Sequence, residues 1–271
     1  MEHEKTIFIT GASSGIGKEA AKLFHRNKWN VIATMRNPDK EAELKQFDNV
    51  LVVKLDVTDD ALVKSAVAAG LERFGRIDAL LNNAGFGIYG PLEVTPIEKI
   101  RQQFETNVIG LLRTTKGLLP VFRAQRAGLI LNVSSIGGII TYPLGTLYHG
   151  SKFAVEGLTE SMSFEMREIG VTVKLIEPGD TLTDFKIETM NDESVPEYQG
   201  IIRKLSEGYA PIKAKGSKPS EIAEVIYRAA TDGSDRFRYP AGHDAIAKVA
   251  KRKVEDDATF LQDMRAQFCL D

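Results

Sequence analysis

The sequence predicts an α/β protein: one domain on a doubly wound, parallel sheet with helices on both faces. Three observations carry that reading. Short apolar runs of strand length alternate with longer helix-like stretches as far as Ile176. The runs are apolar throughout, as strands covered on both faces must be. The first run ends in a glycine-rich turn that opens a helix. In such a sheet the ligand lies at the carboxyl ends of the strands, where the winding direction reverses.

Taken in order, Thr6–Thr10 (TIFIT) is β-branched and apolar, a first strand. Residues 16–27 follow as a helix, 31–34 (VIAT) as a second strand, 41–47 as a short helix and 50–55 (VLVVKL) as a third strand. Asp60–Phe74 is the next helix and Ala79–Asn82 (ALLN) a fourth strand. Residues 97–122 read as one long helix with Pro120 near its end, and 129–133 (LILNV) as a fifth strand. Residues 148–169 form another long helix, and 171–176 (VTVKLI) a sixth strand. Over about 181–217 the alternation is lost, and Pro, Gly and charged residues mix with short apolar pieces. That stretch is too long for an ordinary connection. It is expected to be a substrate-binding loop or lid inserted in a single domain spanning 1–271. Pro219–Thr231 resumes as a helix, opened by Pro-Ser-Glu.

Composition narrows the function. Hydrophobic residues make up 43% and charged residues 27%, as in a water-soluble globular protein. A net charge of -2 argues against a general electrostatic grip on nucleic acid. The lone Cys269 excludes an intramolecular disulfide and fits a reducing compartment, so the cytoplasm is the expected location. Cys269 itself is expected as a small apolar residue of a C-terminal element. The start of the chain lacks the cationic-then-apolar pattern of a signal peptide, and no apolar run approaches the roughly 20 residues of a membrane span. The histidines have no ligand spacing, so no metal site is expected. Trp29 is expected to pack between helix and strand, and the KRKVEDD run at 251–257 to be a solvated helix.

Thr10-Gly11-Ala12-Ser13-Ser14-Gly15-Ile16-Gly17 joins the first strand to the first helix. Backbone N–H groups at a helix start attract phosphate, and glycines let a pyrophosphate come close. With strand before and helix after, a dinucleotide site is favoured over a plain tight turn. The end of the second strand chooses the dinucleotide, because an acid there binds a ribose 2′-hydroxyl and a base a 2′-phosphate. The chain has Met35-Arg36. Arg36 can pair with phosphate and stack on adenine, so NADP(H) is expected in preference to NAD(H). A solvent-facing loop arginine is the alternative.

Tyr148-His149-Gly150-Ser151-Lys152 puts a phenol and an ammonium four residues apart, on one face of a helix. An ammonium near a phenol favours phenolate and pulls its pKa below about 10. A tyrosine so shifted exchanges a proton with an alcohol or carbonyl. His149 is expected to point elsewhere on the helix. Isolated, the pair would be surface amphipathy; its position after the other motifs makes the difference.

With its G-x-x-x-G-x-G spacing, TGASSGIG resembles the cofactor turn of the short-chain dehydrogenase/reductase (SDR) family. N-A-G at Asn83, Ala84 and Gly85, N-V-S-S ending at Ser135, and Y-x-x-x-K follow in the family's order, and the resemblance covers about 5–185. It implies a Rossmann-type fold. It implies hydride transfer between NADP(H) and a carbonyl/alcohol pair, with Tyr148 as general acid/base. Ser135, thirteen residues before Tyr148, would hold the substrate oxygen, with Ser134 its competitor. Lys152 would lower the tyrosine pKa and bind the nicotinamide ribose, Tyr148 would also touch the cofactor, and Asn107 would support a water near the lysine. Asn107 could also be a helix-bending polar residue.

On the same resemblance Gly11, Ser13, Ser14, Gly15, Ile16 and Gly17 cradle the pyrophosphate. Asp56 and Val57 contact adenine; Asp56 also suits a helix N-cap or turn. Asn83, Ala84 and Gly85 lie against the ribose, with a structural turn as the rival for Asn83. Pro178, Gly179, Thr181 and Thr183 form the carboxamide loop. Asp180-Thr181 departs from the family pattern, and whether Asp180 faces the cofactor stays open. VIATMRNP, FGRID, NNAGFG and RYPAG from Arg238 resemble the group related to 17β-hydroxysteroid and retinol dehydrogenases, which implies a bulky or apolar substrate. Ile136, Ile139, Ile140, Tyr142, Phe185 and Met190 suit a hydrophobic pocket or the core. The family implies a homodimer or homotetramer through the helices near 97–122 and 148–169. A non-catalytic NADPH-binding sensor of this fold is the rival reading; such proteins usually lose the tyrosine or lysine, and both are present. A nucleotide-sugar epimerase or dehydratase would need a longer C-terminal domain.

Overall fold

The computed structural model describes residues 4–270. Strand β1 (Thr6–Thr10) leads into helix α1 (Gly15–Arg26), then β2 (Asn30–Met35), β3 (Val50–Lys54), α2 (Asp60–Phe74), β4 (Ala79–Asn82) and the short β5 (Gly87–Tyr89). Next come α3 (Ile97–Phe104), a π-helical turn (Glu105–Ile109), α4 (Gly110–Gln125), β6 (Gly128–Val133), α5 (Thr146–Glu168) and β7 (Val171–Pro178). The chain continues through β8 (Ile187–Thr189), α6 (Gln199–Lys213), α7 (Pro219–Thr231), β9 (Arg238–Ala241), α8 (Ala245–Val254) and α9 (Asp257–Gln267).

Seven strands form one sheet in the order β3-β2-β1-β4-β6-β7-β9, every pair parallel. The pleat sends alternate residues to opposite faces. Ile7 and Ile9 join one core cluster with the buried faces of α1 and α7, while Phe8 joins another with α2, α4 and α5. The single-domain α/β reading holds. Winding runs from β1 outward to β3, then returns to β4 on the other side, so the crevice opens at the carboxyl ends of β1 and β4.

Two expected helices differ. Residues 41–47 hold only a 3₁₀ turn at Leu44–Gln46, because Glu41 Oε1 accepts from the Glu43 and Leu44 N–H groups and takes the helix's place. The helix expected over 97–122 is interrupted by the π turn. Gln103 and Asn107, one turn apart, cause this break by bonding a strand edge. Gln103 accepts from Ile88 N–H at 2.7 Å and donates to Phe86 C=O at 2.8 Å; Asn107 accepts from Phe86 N–H at 3.1 Å and donates to Phe86 C=O at 2.9 Å. The 251–257 run is also divided, since α8 ends at Val254 and Asp256 caps α9. Trp29 packs edge-on to Phe24 at 5.1 Å, and Cys269 is exposed instead of packed.

The 181–217 segment leaves and rejoins the fold at one point, a bridge between Thr181 and Ser217. Beyond that neck, β8 pairs with β5, and α6 is tied to Asp180 through Tyr209. No helix among the described residues is long and apolar enough to cross a membrane.

Candidate active site

A cleft of about 510 Å³ opens at the crevice between β1 and β4. Gly11, Ser13, Ser14, Gly15 and Ile16 form one wall, and Ser14 makes no side-chain cap that would occupy the first N–H groups of α1. Gly11 and Gly15 have φ of 69° and 55°, the left-handed backbone that favours glycine. Gly17 does not line the cleft. It sits behind the turn, where a Cβ would lie 2.4 Å from Gly11 C=O. Arg36 is exposed at the rim and makes no ion pair among the described residues. Asp56 and Val57 line the far end, and Asp56 accepts from Thr58 N–H and Oγ1, making it a turn residue; Asp59 is the cap of α2.

Asn83, Ala84 and Gly85 line the middle. Asn83 stitches β4 to β1 by donating to Thr10 C=O at 3.0 Å and Gly11 C=O at 3.1 Å, so its structural role is met. Beneath, Asn82 donates to Asn132 at 2.9 Å and Asn132 to Thr159 at 3.0 Å, tying the ends of β4 and β6 to α5.

A second cavity of about 140 Å³ shares Ile16, Asn83, Gly85, Thr183 and Phe185 with the first. It gathers Ser135, Tyr148, Lys152, Pro178, Gly179 and Thr181. The Tyr148 ring stacks on Tyr89 at 5.5 Å and meets Phe185 edge-on at 5.9 Å. Lys152 Nζ donates to Val133 C=O at 2.9 Å and lies 5.9 Å from the Tyr148 ring centre. Ser135 Oγ caps the next turn at Gly137 N–H and donates to Pro178 C=O at 3.4 Å. Asn107 lines neither cavity; besides Phe86 it donates to Ser151 Oγ at 3.2 Å.

The expected downward pull on Tyr148 is outweighed by burial. Desolvation pushes its phenol up to about 12, although the neighbouring Ser135 hydroxyl favours phenolate. Desolvation also brings Lys152 down to about 8 against the pull of Glu156. Both shifts follow from removing a charged form from water.

Several residues of the second cavity were not singled out as site residues in the sequence. Tyr89 and Tyr209 add aromatic walls, whereas Ile140 is core and Ile139 and Met190 pack against core clusters. His149 also lines it, held by Nδ1–H donating to Gly137 C=O and by Nε2 accepting from Tyr142 N–H, each at 2.9 Å. That pairing requires neutral imidazole, and burial lowers its pKa accordingly. Asp180 is a hub. It accepts from Tyr209 on α6 and, at 2.9 Å, from Lys248 on α8, while Lys248 also donates to Tyr142 at 3.0 Å and Asp244 at 2.6 Å. Apart from the i,i+4 pair Asp244 and Lys248, no sequence spacing relates these residues; the tertiary fold joins them. Asp180→Ala is expected to free Tyr209 and loosen α6, costing about 2 kcal/mol by leaving buried donors with fewer partners. A thermal melt and KM for the substrate check this: lower Tm and raised KM are expected, and unchanged values would refute the hub.

Comparison with known proteins matches this architecture. Residues 5–194 fit the family model described as short chain dehydrogenase. The chain is 47% identical over 236 residues to an uncharacterised oxidoreductase of Schizosaccharomyces pombe, covering 87% of this chain and 100% of that one. It is 33% identical to bovine (Bos taurus) retinol dehydrogenase 8, covering 83% of this chain and 77% of the relative. Among solved structures, a short-chain dehydrogenase from Streptomyces avermitilis superposes with a TM-score of 0.82 at 29% identity, covering 100% of this chain and 96% of that one. A glycine turn at the strand switch point, with serine, tyrosine and lysine around an adjoining cavity, accounts for that agreement: the chain belongs to the short-chain dehydrogenase family.

Proposed function

We propose that the protein is an NADP(H)-dependent oxidoreductase that reduces a ketone or aldehyde, or reverses that reaction, with Tyr148 as general acid/base. The carrying observation is that Ser135, Tyr148 and Lys152 line one cavity continuous with the larger cleft. The cleft suits the dinucleotide: the glycine turn and the start of α1 line it, and no side chain caps that helix start. The cofactor, when bound, supplies or accepts the hydride.

Tyr148, held in its acid form by burial, delivers the proton to the substrate oxygen in reduction. Ser135 donates a hydrogen bond to the same oxygen and steadies its developing charge. Lys152, still largely an ammonium at neutral pH with a pKa of about 8, places positive charge beside the phenol. Pro178, Gly179, Thr181 and Thr183 hold the carboxamide, and Asn107 fixes the backbone beside Gly85. The 181–217 segment is the substrate lid: Phe185 and Tyr209 from it line the cavity, which favours a bulky, apolar substrate. Exposed Phe153, Leu158 and Phe164 on α5 support assembly as a homodimer or homotetramer.

Assay of wild-type protein with NADPH and NADH against a carbonyl panel tests the reading. Tight NADPH binding with no turnover across the panel would favour a sensor role. Arg36 carries the cofactor preference, because no acid occupies its place and the guanidinium is uncommitted at the rim. Arg36→Ala is expected to lower the NADPH-over-NADH ratio of kcat/KM about ten- to hundredfold, the worth of one charged hydrogen bond. An unchanged ratio would refute the assignment.

A further inference from the structure

Behind Lys152 lies a set of charges that this mechanism does not use. Glu156 follows Lys152 by one turn of α5, and both are buried. Glu177, at 0% exposure, comes from the end of β7, directly before Pro178. Arg238 of β9 reaches both: its Nε lies 3.2 Å from Glu156 Oε2 and 3.3 Å from Glu177 Oε1. Its other arm donates to the exposed Glu160 at 2.6 Å. One guanidinium therefore serves three carboxylates, two of them out of water. Glu156 Oε1 and both Glu177 oxygens have no hydrogen-bond partner among the described residues.

Two buried carboxylates held by one guanidinium repel each other, and burial disfavours charge on both. Burial and the charge of Glu156 push Glu177 up to about 7, against Arg238, Lys253 and Arg236. Burial also raises Glu156, countered by the Ser134 hydroxyl, Arg238 and Lys152. Glu156 in turn is the charge that supports the Lys152 ammonium.

Resting on the Tyr148–Lys152 reading above, we propose that Glu156 and Glu177 are positioning residues for the reaction. Clamped together by the Arg238 guanidinium, they set the negative charge behind Lys152 and so keep its ammonium charged. Glu156 is the negative charge that acts on Lys152, and Glu177, bound to the same guanidinium, leaves less of the Arg238 charge to offset it, so the ammonium is harder to discharge. The alkaline limb of kcat, set by loss of the Lys152 proton, then lies at higher pH than burial alone would place it. The glutamates act only through the lysine.

The test uses the full-length protein and two readouts: the pH profile of kcat with saturating NADPH, and the Lys152 side-chain titration followed by NMR without cofactor. In Glu177→Gln and Glu156→Gln, both are expected to move down by about one pH unit. Glu177→Asp, which retains the charge, is expected to restore most of the shift. Lys152 titrating at the same pH in wild type and both glutamine variants overturns the proposal. Should the variants fail to fold, the infrared spectrum of wild type decides. A buried carboxylic-acid band that has faded by the pH at which Lys152 titrates supports the charged pair, and a band persisting to about pH 9 refutes it. Lys152 shifts in NMR without turnover of any carbonyl would defeat the dehydrogenase reading and leave this coupling intact.

Discussion

Replacement of Tyr148 by phenylalanine is expected to cut kcat for carbonyl reduction about a hundred- to ten-thousandfold, the usual worth of a positioned general acid. The substitution removes one hydroxyl and keeps the ring that stacks on Tyr89 at 5.5 Å and touches Phe185 at 5.9 Å. Tyr148 lines the second cavity and not the main cleft, and phenylalanine keeps its ring, so NADPH affinity should stay within a fewfold of wild type. Fluorescence titration of NADPH and a melting curve check those two points; initial rates of NADPH consumption check the first. The contrast between lost turnover and retained binding identifies proton delivery. Burial pushes the phenol up to about 12, so this acid stays protonated through neutral and mildly alkaline pH. Alkaline loss of reductase activity should therefore follow Lys152, brought down to about 8, and not the tyrosine. A phenylalanine variant retaining more than about a tenth of wild-type kcat would move the proton donor elsewhere.

The parts of this architecture that the sequence displays are those made by neighbours in the chain. Strand runs such as Thr6–Thr10 and Ala79–Asn82 are readable because a strand buried on both faces is apolar at every position. Ser135, Tyr148 and Lys152 stand out by spacing, and they line one cavity because β6 ends where α5 begins its first turns. The departures come from contacts between distant segments. Residues 97–122 have helical periodicity from end to end, yet Asn107 and Gln103 bond the backbone at 86–88 and force a π turn. A short-range reading of Glu41 sees a helix former; its carboxylate instead accepts local N–H groups and the Lys18 ammonium at 3.1 Å. His149, next to Tyr148 in sequence and expected to point elsewhere, instead lines the same cavity, where it clamps the loop from Gly137 to Tyr142. Asp180 gains its partners from Tyr209 and Lys248, 29 and 68 residues on, which no periodicity encodes. The tyrosine's electrostatics were hidden for the same reason: adjacency to a lysine is visible in sequence, whereas the burial that outweighs it belongs to the folded site.

Gly17→Ala is expected to weaken NADPH binding about a hundredfold or more and to lower stability, although Gly17 touches no part of the cleft. Its added Cβ would lie 2.4 Å from Gly11 C=O and 2.5 Å from Asn83 Nδ2, far inside contact distance. Neither neighbour can yield alone. Asn83 Nδ2 is bonded to Thr10 and Gly11 carbonyls, and Gly11 is pressed against Ala84 on its other side. Strain at position 17 therefore spreads to the ends of both β1 and β4, the two strands that flank the crevice. Overpacking of this kind costs about 1–3 kcal/mol, which for a domain of this size lowers Tm by roughly 2–12 °C. The loss of affinity comes from displacing N–H groups that must converge on a pyrophosphate. Gly15→Ala provides the control, since its Cβ would meet only Thr183 at 3.3 Å and its cost is mainly the left-handed φ of 55°. Calorimetric titration with NADPH separates the cases. Equal affinities for wild type and the Gly17→Ala variant would mean that α1 and the turn can part without loss, and the phosphate would then have to be held elsewhere than at the start of that helix.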